Sequence, residues 1–144
     1  MSKNQRSGQG SLNASTGDIY KGSFKNDIRH GTGLCQFKSG ALFKGEWRDD
    51  KPHGHGILYS GKNEIIECRF EKGAVPNKCK VKIMMADGSY YDGGYENHRR
   101  DGQGTCSYPN GELYEGAWEK DKRCGRGKMR FHGGMVYQGR FAEE

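Results

Sequence analysis

The sequence repeats itself about every 23 residues, and a period of this length indicates an architecture of stacked units. In each copy an aromatic or apolar residue is followed at the second position by a small residue and at the fourth by an aromatic residue. The copies are Tyr20-Gly22-Phe24, Phe43-Gly45-Trp47, Tyr91-Gly93-Tyr95, Tyr114-Gly116-Trp118 and Tyr137-Gly139-Phe141, with a worn copy at Ile66-Cys68-Phe70. Repeats therefore start at residues 20, 43, 66, 91, 114 and 137. We predict that the residues of the five good copies, without the worn one, form the structural core.

A Gly-x-Gly pair follows eleven residues after each complete good start. The pairs are Gly31/Gly33, Gly54/Gly56, Gly102/Gly104 and Gly125/Gly127. The pair Gly8/Gly10 belongs to a repeat that lacks its first half. Glycine makes up 24 of 144 residues, while the apolar residues together reach only 32%. Such a chain cannot build a thick aliphatic core, so the glycines are expected to have defined positions in a thin one.

Residue alternation within each repeat predicts two β-strands. Tyr20, Gly22 and Phe24 share one parity, and Lys21 and Ser23 take the other. Dipeptides between repeats predict tight hairpin turns with positive φ angles, at Ser39-Gly40, Asp87-Gly88, Asn110-Gly111 and Gly133-Gly134. Within a repeat we expect a longer charged loop, such as residues 25–30. The predicted fold class is all-β, an elongated single-layer antiparallel sheet of stacked hairpins, about 50 to 60 Å long.

Glycine on the aromatic side of the strands has a packing explanation. By the predicted phasing all the aromatic residues except Tyr59 and Tyr90 lie on the same side as the repeat glycines. A residue without a side chain leaves a slot in the pleat, into which we expect the ring of the neighbouring hairpin to fit.

A Tyr-x-Gly-x-Trp/Phe strand followed by a charged segment and Gly-x-Gly resembles the MORN (membrane occupation and recognition nexus) repeat family. Residues 114–118 (YEGAW) and 43–47 (FKGEW) are close to its consensus opening. The resemblance implies a stack of β-hairpins. It also implies a role as a scaffold, cytoskeletal, axonemal (including radial-spoke) or membrane-apposed component, or as a targeting module of an enzyme. The third repeat departs from the pattern, because Cys68 replaces the glycine and Asn77/Cys79 replace Gly-x-Gly.

The predicted organisation is one repeat array with short ends. Residues 1–6 are expected to be a flexible N-terminus, residues 7–141 the array, and residues 142–144 a tail. The array comprises a half repeat at 7–17, repeats starting at 20, 43, 66, 91 and 114, and a half repeat from 137. Exposed strand edges at the two ends favour pairing end-on with a second copy or with another repeat protein.

No residue set indicates catalysis, a cofactor or a metal, and we expect a protein that is not an enzyme. Residues 56–63 (GILYSGKN) have P-loop spacing, but Asn63 stands where a magnesium-binding Ser or Thr is needed and no helical pattern follows. His30, His53 and Cys124 occupy equivalent repeat positions, about 10 Å apart on adjacent repeats, too far for one ion. Only His53 and His55 are close enough to chelate together, in a site shared between two molecules. Five cysteines without a Cys-x-x-Cys pair indicate reduced thiols.

The net charge of +6 favours acidic partners. Two strands are predicted to present basic rows on the outward face. One row, in the third repeat, is Lys78, Lys80 and Lys82, and the other, in the fifth repeat, is Arg126, Lys128 and Arg130. Between them lie neutral Gln103, Thr105 and Ser107.

The leading interpretation is a non-enzymatic scaffold that holds other proteins together in a cytoplasmic, cytoskeletal complex, with a cilium or flagellum axoneme as the expected place. There is no apolar run that predicts a membrane span or a secretory signal. The alternative is a phospholipid-binding module at the cytosolic face of a membrane, which the charge permits and a scarcity of exposed apolar anchors opposes. Single-stranded nucleic-acid binding ranks last and is not expected, because the aromatic rings needed for base stacking are assigned to the core.

Overall fold

The computed structural model describes residues 7–142, and every regular element among them is a β-strand. The predicted N-terminus at 1–6 and the last two residues of the predicted tail lie outside this range. The strands are β1 (Gly8–Asn13), β2 (Ile19–Lys25), β3 (Ile28–Gln36), β4 (Leu42–Arg48), β5 (Lys51–Tyr59), β6 (Ile65–Phe70), β7 (Lys78–Met84), β8 (Tyr90–Glu96), β9 (Arg99–Ser107), β10 (Leu113–Glu119), β11 (Lys122–Arg130) and β12 (Val136–Phe141).

The chain divides into two compact units, residues 1–62 with 67–75 and residues 63–66 with 76–144. In the first unit β1 to β5 pair in sequence order, each antiparallel to the next. In the second unit β7 to β12 do the same. The all-β class and the stack of antiparallel hairpins predicted from the sequence are therefore confirmed.

The link inside each repeat other than the third is shorter than we predicted. Strand β3 begins at Ile28, so Asn26 and Asp27 alone connect it to β2, with φ angles of 49° and 70°. Lys120 and Asp121 repeat this geometry at 48° and 72°. Two consecutive positive φ angles define the type I′ turn, whose twist matches that of the strands it joins. The expectation of a loop over residues 25–30 was wrong, because those outer residues belong to the strands.

The first glycine of each Gly-x-Gly has a positive φ angle that the backbone conformation requires. Gly31 has a φ of 93° and Gly102 a φ of 91°. Each lies where the register shifts between the strands of its hairpin, since Gly22 pairs with Gly33 while Phe24 pairs with Arg29. The second strand thus contains extra residues in a bulge, and glycine tolerates the positive φ that the bulge requires. The sequence pattern had assigned both glycines to packing.

The turns between repeats use glycine as predicted, in a wider loop. Phe37 N–H donates to the Ala41 carbonyl at 2.8 Å, and Gly40 N–H donates to the Phe37 carbonyl at 2.9 Å. Gly40 has a φ of 98°, and Gly88 and Gly111 follow at 94° and 93°. A positive φ at one glycine closes a three-residue loop here, instead of a two-residue turn.

The second glycine of each pair makes room for a ring, and that ring comes from the same hairpin. The Tyr114 ring lies directly over Gly127, its neighbour on the paired strand, and a Cβ on Gly127 would be 2.5 Å from the tyrosine oxygen. Tyr20 lies over Gly33 in the same way. We had expected a ring from the neighbouring hairpin. That hairpin instead adds the indole of Trp47, whose edge-to-face contact with Tyr20 has a centroid distance of 5.2 Å.

Most of the predicted core residues are buried, with one clear exception. Tyr20, Phe43, Tyr91 and Tyr114 are at most 1% exposed. Tyr137 is 44% exposed, although we predicted it in the core. Strand β12 pairs with β11, and no further strand among residues 7–142 lies beyond it to cover Tyr137.

The third repeat replaces the ring-over-glycine packing with aliphatic side chains. Cys68 and Phe70 are buried in the first unit. Val81 and Ile83 are buried in the second unit, on the inward face of β7. The inward parity of the strand is kept although its glycines are lost.

Candidate functional site

The two predicted basic rows lie on the outward face of the second unit. Lys78, Lys80 and Lys82 form the β7 row, named after its strand; they are exposed and alternate with inward Val81 and Ile83. Arg126, Lys128 and Arg130 form the β11 row; they are exposed and alternate with inward Gly127 and Met129. The structure therefore places all six side chains where a partner can reach them, and their role in binding stays a prediction.

Neighbouring strands make the β7 row less positive than its sequence indicates. Lys82 pairs across the ladder with Asp92, and Lys78 with Glu96. The Lys78 ammonium lies 3.9 Å from the Glu96 carboxylate. These two acidic residues on β8 could not be found by comparing the second strands of the repeats alone.

The β11 row keeps more of its charge and gains a fourth cation. Arg126 lies opposite Arg140 of β12, and Lys128 lies opposite Gln138. On the other side, Lys128 faces Glu115 of β10. Exposed apolar side chains follow directly: Phe131 at 39% and Met135 at 76% exposure in the turn between β11 and β12, and Val136 at 49% as the first residue of β12. The β11 row with Arg140 is thus the more strongly cationic surface of the two.

The inward face carries an ion-pair clamp between consecutive repeats that the sequence analysis missed. Arg29 donates from Nε to the Asp50 carboxylate at 2.6 Å and from a terminal nitrogen to the Asp50 carbonyl at 3.1 Å. Asp50 N–H returns a hydrogen bond to the Arg29 carbonyl at 3.0 Å. In the second unit Arg100 holds Asp121 through the same three bonds, at 2.5, 3.1 and 2.9 Å.

Each clamp arginine also stacks on a tryptophan of the following repeat. The Arg29 guanidinium lies 4.6 Å from the ring centroid of Trp47, and that of Arg100 lies 4.3 Å from Trp118. Cation–π contacts of this kind reinforce a hydrogen-bonded ion pair. Arg29 therefore joins the first repeat to the second, and Arg100 joins the fourth repeat to the fifth.

The clamp makes Asp121 a stronger acid. Burial by itself raises the pKa of this carboxyl, but the hydrogen bonds from the Arg100 side chain and backbone outweigh burial and hold the pKa below its ordinary 3.8. Because the folded-state pKa is lowered, the clamp's contribution to stability is present above pH 3.8 and is lost as the pH falls through the lowered value.

A third arginine, Arg123, occupies the equivalent place in the next repeat. Its guanidinium lies 5.8 Å from the ring centroids of Tyr108 and Tyr114 and 6.0 Å from that of Phe141. It also donates to the Met129 sulfur at 3.7 Å. A groove of about 460 Å³ beside it is lined by Met85, Asp87, Ser89, Arg100, Tyr108 and Trp118, among others.

The histidines that share a repeat position act singly as hydrogen-bond acceptors. His30 Nδ1 accepts from the Asp49 N–H at 3.5 Å, and His53 Nδ1 accepts from the Lys72 N–H at 3.3 Å. His55 pairs with the Glu67 carboxylate at 2.9 Å. Within residues 7–142 no three His, Cys, Asp or Glu side chains lie close enough to hold a metal ion. The same part of the chain has no helix with the length and apolar character needed to cross a membrane.

Comparison with known families gives a match to the MORN repeat. The family profile matches residues 20–42, 43–63, 91–112 and 114–136, together more than half of the chain. The chain belongs to the MORN-repeat family. The matched segments begin at four of the repeat starts found in the sequence, and the divergent third repeat is outside them. MORN repeats indicate a protein-interaction or membrane-binding module. No curated protein sequence matches this MORN-repeat chain.

Solved structures with a similar fold include a domain that was determined with a bound peptide motif. The SAS-4 (dCPAP) TCP domain of Drosophila melanogaster, in complex with a proline-rich motif of Ana2 (dSTIL), is 12% identical, with a TM-score of 0.57. The alignment covers 91% of this chain and 71% of that one. The TCP10 domain of Danio rerio CPAP is 13% identical over 95% and 89% of the two chains, with a TM-score of 0.32. At these identities the first likeness shows a shared fold alone.

Proposed function

We propose that this MORN-repeat chain is a non-enzymatic scaffold that mediates protein–protein interactions in a cytoplasmic, cytoskeletal complex, with an axonemal, radial-spoke-like assembly as the expected setting. The observation that carries the proposal is the β11 row with Arg140, four cations on one exposed strand pair. Such a surface attracts acidic protein surfaces and sets the rate and specificity of their association. The SAS-4 domain of similar fold is in complex with a proline-rich motif, which supports peptide or protein partners for this fold.

The alternative is a phospholipid-binding module at a cytosolic membrane face. Exposed Phe131, Met135 and Val136 beside Arg130 favour it, because apolar side chains next to cations are the composition of membrane-surface contacts. We expected few exposed apolar anchors from the sequence, whereas the turn between β11 and β12 and the first residue of β12 supply three. Scaffold binding remains the preferred function, because three side chains at one turn form a small anchor.

Glutamine substitutions in the two basic rows separate these functions. Changing Arg126, Lys128 and Arg130 to Gln should leave the melting temperature unchanged, weaken binding to an acidic protein partner and flatten its salt dependence. The same change at Lys78, Lys80 and Lys82 should have a smaller effect, since Asp92 and Glu96 already offset that row. Exposed Lys21 and Lys44 in the first unit, changed to Gln, provide the control.

Liposome flotation is the deciding measurement, with phosphatidylcholine vesicles and with vesicles that also contain phosphoinositide. Scaffold function predicts little flotation of the parent protein in either case. Strong flotation with phosphoinositide only, reduced roughly 100-fold by the three β11 substitutions at about 1 kcal/mol per cation, would establish the membrane function instead.

A further inference from the structure

The two clamps show which chemical group an arginine at this repeat position binds. Arg29 and Arg100 each lie nine residues after a repeat start, and each binds an aspartate at the second position of a type I′ turn. The aspartate uses its carboxylate, its carbonyl and its own N–H. The preferred ligand is therefore an aspartate presented by a turn, and not a free anion.

Arg123 occupies the same repeat position, and its guanidinium makes the same two kinds of contact, with a sulfur atom and with aromatic rings. Arg29 donates from a terminal nitrogen to the Cys35 sulfur at 3.6 Å, and Arg123 donates to the Met129 sulfur at 3.7 Å. Both guanidinium groups lie over aromatic rings. Within residues 7–142, however, no carboxylate lies within ion-pair distance of Arg123. The Arg123 guanidinium is therefore oriented over aromatic rings and has no carboxylate partner among residues 7–142.

The groove beside Arg123 has the composition of a protein-recognition site. Tyr108, Trp118 and Phe141 supply aromatic walls, and Arg123 supplies the cation. Tyrosine, tryptophan and arginine are the residue types that contribute most to binding energy at protein interfaces. Asp87 in the same groove accepts a hydrogen bond from the Ser89 N–H at 2.8 Å, and it makes no ion pair with Arg123.

We propose that Arg123 and the adjoining groove bind an aspartate-bearing turn of a partner protein, in the arrangement that joins Asp121 to Arg100. This inference rests on the proposed interaction function and assigns it a second surface, on the face opposite the β11 row. The position of this chain one repeat beyond Asp121 is Glu144, outside the described residues. The four turn residues at this position with known φ angles between 63° and 72° are Asp27, Asp50, His98 and Asp121. Aspartate, asparagine and histidine are enriched at positive φ and glutamate is not, so an external aspartate suits the site better.

The test uses a fluorescent cyclic peptide carrying residues 117–123, the segment that presents Asp121, together with a copy containing Asp121→Asn. Anisotropy titrations should show roughly tenfold weaker binding of the asparagine peptide to the parent protein, because a charge-assisted hydrogen bond is lost. Arg123→Gln should remove this preference. Arg123→Lys, which keeps the charge without the fork of donors, should weaken binding of the aspartate peptide by a similar factor. The protein with Gln at Arg126, Lys128 and Arg130 should bind the peptide like the parent. Peptide binding therefore tests the Arg123 site independently of the β11 row, on which the scaffold proposal depends.

Three outcomes would overturn the proposal. The first is equal binding of the two peptides by the parent protein. The second is a preference for aspartate that persists in Arg123→Gln, with the circular dichroism spectrum and melting temperature of each variant confirming its fold. The third is binding detected only after Glu143→Gln and Glu144→Gln, which would mean that the chain's own carboxylates hold the site.

Discussion

Valine at Gly116 is expected to lower stability by about 3 kcal/mol, at the upper end of the usual cost of overpacking. A Cβ at this position would lie 2.5 Å from the Gly127 Cα, 2.7 Å from the Arg126 carbonyl oxygen and 2.8 Å from the Tyr114 hydroxyl. Two of these contacts are backbone atoms of the paired strand, which cannot rotate away as a side chain can. Thermal unfolding should show a fall in melting temperature of roughly 10 °C.

Valine at Glu115 is the matched control, because it places the same side chain one residue earlier on the exposed face of the same strand. Lys44→Ala and Gly45→Val give a second pair in the first unit, where a Cβ on Gly45 would lie 2.5 Å from the Gly56 Cα. A Gly116→Val protein that melts with its parent, while Glu115→Val melts lower, would show that the two faces have been exchanged.

Alanine at Arg100 is expected to destabilise the second unit by about 2 kcal/mol, through loss of the cation–π contact and the hydrogen bonds to Asp121. The ion pair contributes only part of this loss, because the Asp121 side chain is 49% exposed and solvent weakens the pair. Urea unfolding at pH 7 measures the change.

The neighbouring Arg99→Ala is the control, since Arg99 is exposed on β9 and pairs across the ladder with Glu96. Arg123→Ala provides a further comparison, because Arg123 has ring contacts without a carboxylate among residues 7–142. Equal loss of stability at Arg99, Arg100 and Arg123 would contradict the clamp.

The repeat period predicted the parts of the fold that depend on local alternation. Tyr114, Gly116 and Trp118 lie on one face of β10 because strand side chains alternate, and no tertiary information is needed for that. The outward placement of Lys80 and Lys128 follows from the same rule. The bulge at Gly31 was missed because glycine satisfies both the packing and the positive-φ explanation, and the sequence does not separate them.

Contacts between repeats were harder to predict. Arg100 and Asp121 are 21 positions apart, and their contact depends on the strand register, which alternation does not reveal. Aligning the repeats position by position exposes the signal, since Arg29 and Asp50 stand at the same two positions. The partial neutralisation of the β7 row by Asp92 and Glu96 was missed for the same reason, because it depends on the pairing of β7 with β8.

We expect partner proteins to bind this MORN-repeat chain through its outward β11 row. Parallel affinity purification of the tagged parent protein and of the protein with Gln at Arg126, Lys128 and Arg130, from the cells that make it, tests this claim most directly. We expect a defined set of proteins with the parent, and loss of that set with the variant, at equal expression and melting temperature. Recovery of the same proteins in the same amounts with both would contradict the claim.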